Sequence, residues 1–279
     1  MKLTPDCNNC LRGLINQAAN LATNNAVLKQ RAIEKATRIL EEEFSYSQTS
    51  IVIATKIHKV IKEVTRNPDP YKAMKEREIS IARDLYHEVK SLYTGDFEGY
   101  LKLAAAANAI DFFREPGLIE EDMRNPVLFV VDDSKHLEAK LKNAGKVLYL
   151  ADNAGEIYFD LLLLGWMRQF TNVTYVVKPL PVQNDVTLQD IKGAGLETAF
   201  GKVMDTGVAS PGIIYSSASS EFMQEFESAD VIFAKGMGYY ESLSELPRKG
   251  KFFYCLKAKC NPVAESLGVP VNSYVAMLW

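Results

Sequence analysis

Three short stretches carry side chains whose types and spacing suit work on an anionic ester. In VLYLADNAGEIYFD, Val147 to Asp160, an apolar run stops at Asp152, and the turn Asn153-Ala154-Gly155 leads into a helix-like segment near Glu156. Asp152 and Asn153 offer two adjacent hard oxygen acceptors suited to Mg²⁺, Mn²⁺ or a similar divalent ion. Gly155 lets backbone N–H groups approach an anion at a helix start. In the second stretch, Lys178 to Thr187, two prolines hold an extended loop that carries Asp185. In the third, Lys235-Gly236-Met237-Gly238 follows the apolar run Val231 to Ala234. A point charge beside accessible N–H groups suits a phosphate, although this is not a Walker A loop, since no Ser or Thr follows the lysine. A carboxylate, an amide, a second carboxylate and a cation on one edge would equip a site for metal-assisted phosphoryl chemistry. Each piece also has a plainer reading: Asp-Asn-Ala-Gly is good turn chemistry, and Asp185 or Thr187 would serve as a helix N-cap.

Positioning these groups falls to two kinds of segment. Residues 1 to about 113 read as helices: Leu28, Ala32, Ala36, Ile39 and Leu40 form one apolar face, and Ile53, Ile57, Val60, Ile61 and Val64 another, with Lys, Arg and Glu between. Asn67-Pro68-Asp69-Pro70 is a breaker, with Pro70 suited to the first turn of a helix running toward Tyr93. A further helix, Phe97 to Phe113, carries the small run Ala104 to Ala107, which permits close approach to a neighbour, then Asn108 and Asp111 on one face. Both are candidates to reach a ligand crevice; capping or solvated roles suit them equally. From about 127, short apolar runs alternate with helical segments: Val147 to Leu150, Val173 to Val177, Val231 to Ala234, Phe252 to Leu256 and Val271 to Met277. Such alternation implies βαβ units and a parallel sheet, with the polar clusters at strand C-termini where open α/β sheets bind ligands. The segment Gly201 to Ile213, holding Asp205 and Thr206, reads as a long turn. The division expected is a helical region over 1–125, capping one edge of the sheet, and an α/β domain over 126–279 that carries the metal site.

Composition excludes several function classes. With 35 acidic and 32 basic residues interspersed and a net charge of −3, the chain lacks the polybasic block expected of a nucleic-acid or anionic-membrane partner. No apolar run approaches a membrane span and the first residues lack a signal-peptide core, so a cytoplasmic location is the default expectation. Four cysteines in 279 residues do not make a disulfide scaffold. Cys7 and Cys10 form a CxxC that either is redox-active or shares a soft metal with Cys260; the alternative is a pair of small buried hydrophobes. His58, His87 and His136 read as solvated side chains on helical faces.

Taken together and in order, ADNAGEIYFD, PVQNDVTLQD, GKVMDTGVASPG, DVIFAKGMGYYES and LKAKCNPVAESLGV, with the N-terminal CNNC, resemble the metal-dependent damage-control phosphatases once catalogued as domain of unknown function 89. The CxxC resembles the archaeal and bacterial branch. The resemblance implies an α/β/α sandwich of Rossmann-like topology with a mostly parallel sheet and an N-terminal all-helical region. It also implies hydrolysis of phosphate monoesters of small metabolites: sugar phosphates, damaged phospho-metabolites or nucleotides. Asp152, Asn153 and Asp185 stand where that family holds its metal, and Lys235 where it neutralises phosphate. One divalent ion is implied, with Mg²⁺, Mn²⁺, Co²⁺ and Ni²⁺ all compatible with oxygen ligands. Tyr239 stands where the family more often has Asn. Backbone N–H groups near Gly155 and Gly236 would support the phosphate, and Glu156, Asp205 and Asp111 are the candidates to orient a nucleophile. A carboxyl methyltransferase using S-adenosylmethionine, or a non-catalytic metabolite- or metal-binding protein, are the alternatives; a glycine-rich nucleotide loop is missing from DNAGE.

Overall fold

The structure, a computed structural model, describes residues 1–109, 118, 121, 123–247 and 249–279. Seven strands form one sheet: β1 (Phe129–Asp132), β2 (Lys146–Leu150), β3 (Asn172–Val177), β4 (Val203–Asp205), β5 (Val231–Lys235), β6 (Phe252–Lys257) and β7 (Tyr274–Leu278), in the spatial order β1-β7-β6-β5-β2-β3-β4. β6, β5, β2, β3 and β4 run parallel, and β7 pairs antiparallel to β6 and parallel to β1. β2 is fully covered on both faces. Val147 and Tyr149 enter one core while Leu148 and Leu150 enter the other, as the two-residue period of a strand requires.

On the Tyr149 face lie α4 (Lys72–Val89), α5 (Phe97–Ala106), α6 (Ser134–Leu141) and α7 (Ile157–Met167). The Leu148 face is covered by α10 (Ser220–Ser228), α11 (Met237–Leu243) and α12 (Asn261–Leu267). Short helices α8 (Leu188–Gly193) and α9 (Glu197–Phe200) link β3 to β4. A separate third core is built by α1 (Pro5–Ala22), α2 (Ala26–Glu43) and α3 (Ser50–Thr65), whose Ile15, Ala18, Ala32, Leu40, Ile57 and Ile61 are 0–1% exposed. Tyr71 and Met74, at the start of α4, join that core, while Ala82, Leu85 and Val89 further along join the sheet. α4 thus fastens the three-helix unit to the sheet, and α4 and α5 of the helical region pack on a face of it.

Several sequence expectations need correction. Val203–Asp205 is an edge strand, not part of a turn; three residues are too few to show a period of two. β1 went unread although Val127-Leu128-Phe129-Val130-Val131 is a continuous apolar run; in the structure its residues alternate between half-buried and exposed. The last strand begins at Tyr274 rather than Val271, after a turn in which Asn272 takes φ +69°. Pro70 lies just before α4, with Tyr71 at the N-cap. His58 is not solvated: it is 3% exposed on α3, edge-on to Tyr71 at 5.6 Å between ring centres.

Candidate active site

The order of the strands locates the crevice. From β2 the chain moves one way to β3 and β4, and from β5 it moves the other way to β6, so the direction reverses between β2 and β5. Loops leaving adjacent C-terminal ends at such a reversal diverge and leave a cleft between them. Asp152 and Asn153 follow β2, Asp185 follows β3, and Gly236 follows β5. The β2 and β3 loops are stitched by backbone hydrogen bonds: Ala154 N–H donates to Asn184 O at 2.8 Å and Val186 N–H to Asp152 O at 2.9 Å. This pairing sets Asn153 opposite Asp185 in an isolated antiparallel bridge. Asp152, Asn153, Asp185 and Asn108 all line one cavity of about 710 Å³.

Asn108 arrives from the far end of α5. The run Ala104–Ala107 is 0–1% exposed and packs with the sheet core, and a single 3-10 turn, Ala107–Ala109, turns the amide toward β2. Its Nδ2 donates to Asp152 Oδ2 at 3.1 Å and to both Glu156 oxygens at 2.9 and 3.1 Å, while its buried Oδ1 has no hydrogen-bond partner among the described residues. Asn153 is held likewise: Nδ2 donates to Asp152 Oδ2 at 3.1 Å and to Glu156 Oε1 at 2.5 Å. With both amide nitrogens committed to carboxylates, the amide oxygens are the atoms left to meet a cation.

The charges around this floor are unequal. Burial pushes the Asp152 carboxyl up to about 8, and the neighbouring Glu156 and Asp185 charges push the same way. Burial also raises Asp185, to about 6, against the pull of Lys178, whose Nζ lies 3.5 Å from Asp185 Oδ2. Asp185 Oδ2 accepts no hydrogen bond among the described residues. A half-buried and a buried carboxylate, Asp152 and Asp185, with two Asn side chains beside them form an oxygen-rich pocket that a hard divalent cation would relieve.

Other expected participants sit elsewhere. Lys235 has no exposed surface and does not line the cavity: Nζ is 2.7 Å from Glu156 Oε2 and bonded to Asp160 Oδ1. Those two carboxylates outweigh burial and hold the ammonium above its ordinary pKa. Asp160 also accepts from Tyr149 Oη at 2.7 Å and Tyr175 Oη at 2.8 Å. Lys235 is therefore the counterion of a buried network beneath the floor, and Glu156, 0% exposed, is spent on that network. Asp205 is exposed at the end of β4, accepts from Gly207 N–H at 2.8 Å, and is not part of the cavity lining. Gly155 is buried in the 3-10 turn Ala154–Glu156, and Asp111 lies outside the described residues.

Comparison with known proteins gives the family. The model of the damage-control phosphatase ARMT1-like domain matches residues 3–275. The chain belongs to that family. It is 35% identical to a damage-control phosphatase of Pyrococcus horikoshii over 99% of this chain and 98% of that one, and 32% identical to a damage-control phosphatase of Archaeoglobus fulgidus over 99% of each. An uncharacterised protein of Methanocaldococcus jannaschii is 36% identical, over 99% of this chain and 95% of the other. The crystal structure of a DUF89 family protein from P. horikoshii superposes with a TM-score of 0.90 at 34% identity, covering 100% of this chain and 99% of that one.

Within this ARMT1-like fold two further lysines matter, and both stand just past a strand end. Lys178, directly after β3, is 1% exposed; burial lowers its pKa against the Asp185 and Asp152 charges, and its Nζ sits 4.2 Å from the centre of the Tyr239 ring. Tyr239 is thus buried against Lys178 rather than in the cavity lining. Lys259, two residues past β6, lines the cavity, and its charge favours the ionised form of Asp152. The strand-end position that singled out Lys235 would have found both.

Cys7, Cys10 and Cys260 also line the cavity, as does Glu241, and all three are free thiols. Burial raises Cys10 and takes Cys260 up to about 11, the opposite of a reactive thiolate. Among the described residues, no three or more His, Cys, Asp or Glu side chains are grouped to hold a metal, neither these thiols nor the strand-end carboxylates.

Proposed function

We propose that this chain is a metal-dependent phosphatase that hydrolyses phosphate monoesters of small metabolites, with Asp152, Asn153 and Asp185 as the ligands of one divalent ion. The observation that carries the reading is the convergence at one cavity wall of two carboxylates with raised pKa values and a buried amide oxygen, Asn108 Oδ1, that lacks a partner among the described residues. These are hard oxygen donors, which suits Mg²⁺, Mn²⁺, Co²⁺ or Ni²⁺. When bound, such an ion supplies Lewis acidity and makes water nucleophilic near neutral pH. The names of the P. horikoshii and A. fulgidus relatives point the same way.

The chain's own groups have separable tasks in this reading. Lys259 faces the cavity and offers the positive charge that a phosphate needs at its open side. Lys178 balances Asp185 from below, so the floor is not left with two uncompensated carboxylates. Asn108, Glu156 and Lys235 form a rigid underlayer that keeps Asp152 and Asn153 in one orientation, and such pre-organisation is where an enzyme gains over water.

The test is release of phosphate from a panel of small esters by metal-stripped protein with each divalent ion added back. Metal-dependent release that falls by about a thousandfold or more in Asp152→Ala is the expected result. Equal release with and without metal, or a fully active Asp152→Ala, contradicts the proposal.

A further inference from the structure

The loop that carries Asp185 is gripped from outside the sheet on both of that residue's flanks. On one side Asn184 Nδ2 donates to Glu78 Oε1 at 3.3 Å and to Glu78 Oε2 at 3.2 Å. On the other, Thr187 donates its N–H and its hydroxyl to Asp190 Oδ2 at 2.8 and 2.6 Å, and Lys75 Nζ reaches the same oxygen at 3.1 Å while pairing with Asp69 at 3.0 Å. Lys75 and Glu78 stand one turn apart on one face of α4 and are 1% and 4% exposed. Burying an ammonium and a carboxylate is costly unless groups of fixed geometry meet them, so the two side chains and the loop groups that meet them constrain one another. A third contact, from Lys62 Nζ of α3 to Pro181 O at 2.9 Å, holds the start of the loop. α4 itself is fixed twice: Tyr71 and Met74 lie in the three-helix core, Ala82, Leu85 and Val89 in the sheet core, and Lys75 and Glu78 stand between them.

Asp185 depends on such support. Its Oδ2 accepts no hydrogen bond among the described residues, and Lys178 at 3.5 Å supplies charge rather than direction. Where the carboxylate stands is therefore set by the backbone that carries it. That backbone is pinned to the β2 loop through Asn184 O and Val186 N–H, and to α4 through the Asn184 side chain. We infer that Glu78 is a positioning residue for Asp185, acting through Asn184, so that α4 helps to set the divalent-ion affinity of the strand-end site. The inference rests on the reading of Asp185 as a metal ligand; the grip itself does not. Partners that hold a metal ligand in place without touching the ion are worth about ten- to a hundredfold in affinity. Glu78 does not line the cavity, so its loss acts on the site through the loop.

The test is calorimetric Mn²⁺ titration of the metal-stripped full chain, with the melting temperature of each metal-free protein beside it. Glu78→Leu removes the acceptor, and Asn184→Asp sets two carboxylates against each other. Asn184→Asp combined with Glu78→Gln restores an amide–carboxylate pair with the partners exchanged and the total charge unchanged. Each single variant is expected to lose about tenfold or more in Mn²⁺ affinity, and the exchanged pair to return to within about threefold of the parent. Parent-like affinity in either single variant overturns the inference, even where the melting temperature falls, since a bond that only holds the fold together gives that result. An exchanged pair that binds no better than Asn184→Asp also overturns it. If Glu78→Leu does not fold, Asn184→Asp and the exchanged pair decide on their own. Asp185→Asn separates the two readings. If the parent binds no Mn²⁺, or Asp185→Asn binds it as tightly as the parent, the metal-ligand reading fails and the positioning role with it. If Asp185→Asn loses the ion while the Glu78 and Asn184 variants keep it, the ligand stands and the positioning role fails.

Discussion

The Asp152 carboxylate occupies the space that a side chain at position 236 would need. Gly236 takes φ +85°, and a Cβ built on it falls inside the van der Waals shell of both Asp152 oxygens. A glycine is required here on two counts: the backbone conformation disfavours L side chains, and the metal-ligand candidate leans against the bare α-carbon. Its neighbour Lys235 faces the other way, into the buried network.

Gly236→Ala should therefore damage the site more than the fold. The added methyl must move Asp152, and about 1–3 kcal/mol of strain at the backbone is the upper range for stability. The expected outcome is loss of divalent-ion affinity and a fall in kcat/KM of about a hundredfold or more, because small displacements of a reacting constellation are costly. Calorimetric titration with Mn²⁺ beside a thermal melt checks it; unchanged Mn²⁺ affinity would refute the steric argument.

Divalent ions should stabilise the protein. A ligand that binds only the folded chain adds about 2.7 kcal/mol at a hundred times its dissociation constant, so metal-stripped protein should show a clear rise in Tm on adding Mn²⁺. Asp185→Asn removes one proposed ligand charge and should abolish most of that rise. A variant that responds as strongly as the parent would remove Asp185 from the ligand set.

Lys235 offers a test between two roles. As a phosphate-binding cation, its loss would raise KM and spare the fold. As a buried counterion to Glu156 and Asp160, its loss leaves two carboxylates unpaired with no exposed surface, a defect of about 3–5 kcal/mol. We expect Lys235→Met to lower stability by that amount in urea unfolding, and Lys235→Met combined with Asp160→Asn to recover part of it. A stable Lys235→Met with only a raised KM would restore the phosphate role.

His58 sets an acid limb on stability. Burial first, and the Lys62 charge second, push its pKa down from 6.5 to about 3. The unfolded histidine takes up a proton near pH 6.5 and the folded one does not until about 3. The contribution to stability is therefore complete above 6.5 and falls as pH drops toward 3, by at most about 1.4 kcal/mol per pH unit. In His58→Phe that part of the slope should vanish when melts are compared between pH 7 and 4. An identical slope in both proteins would mean that His58 titrates normally.

How much of this could be read from the chain follows from how local each signal is. Five of the seven strands are apolar runs between turn residues, and the helices carry their 3.6-residue faces in adjacent turns, so both patterns are complete within ten or so positions. β4, three residues long, is too short to show a period; β1 was missed although its apolar run, Val127 to Val131, stands in the sequence. The strand-end residues Asp152, Asn153 and Asp185 were legible for the same reason, since each stands beside the strand that carries it.

Which way a side chain faces is not a local property. Lys235 ends β5 and Lys259 follows β6, and the packing of α7, which brings Asp160 and Glu156 under β5, holds the first in the core while the second lines the cavity. Asn108 is 44 residues from Asp152 in sequence and reaches it because a run of alanines lets α5 lie close to the sheet. Part of the cavity lining is likewise made by helices α1, α3 and α4, remote in sequence from the strand-end residues. The sequence by itself determined the elements, the strand-end oxygen donors and the family; the tertiary structure decided which charges lie beneath the floor, which line the cavity, and what surrounds them. The reason is physical: secondary structure and turn chemistry depend on neighbours along the chain, whereas burial and ion pairing depend on neighbours in space.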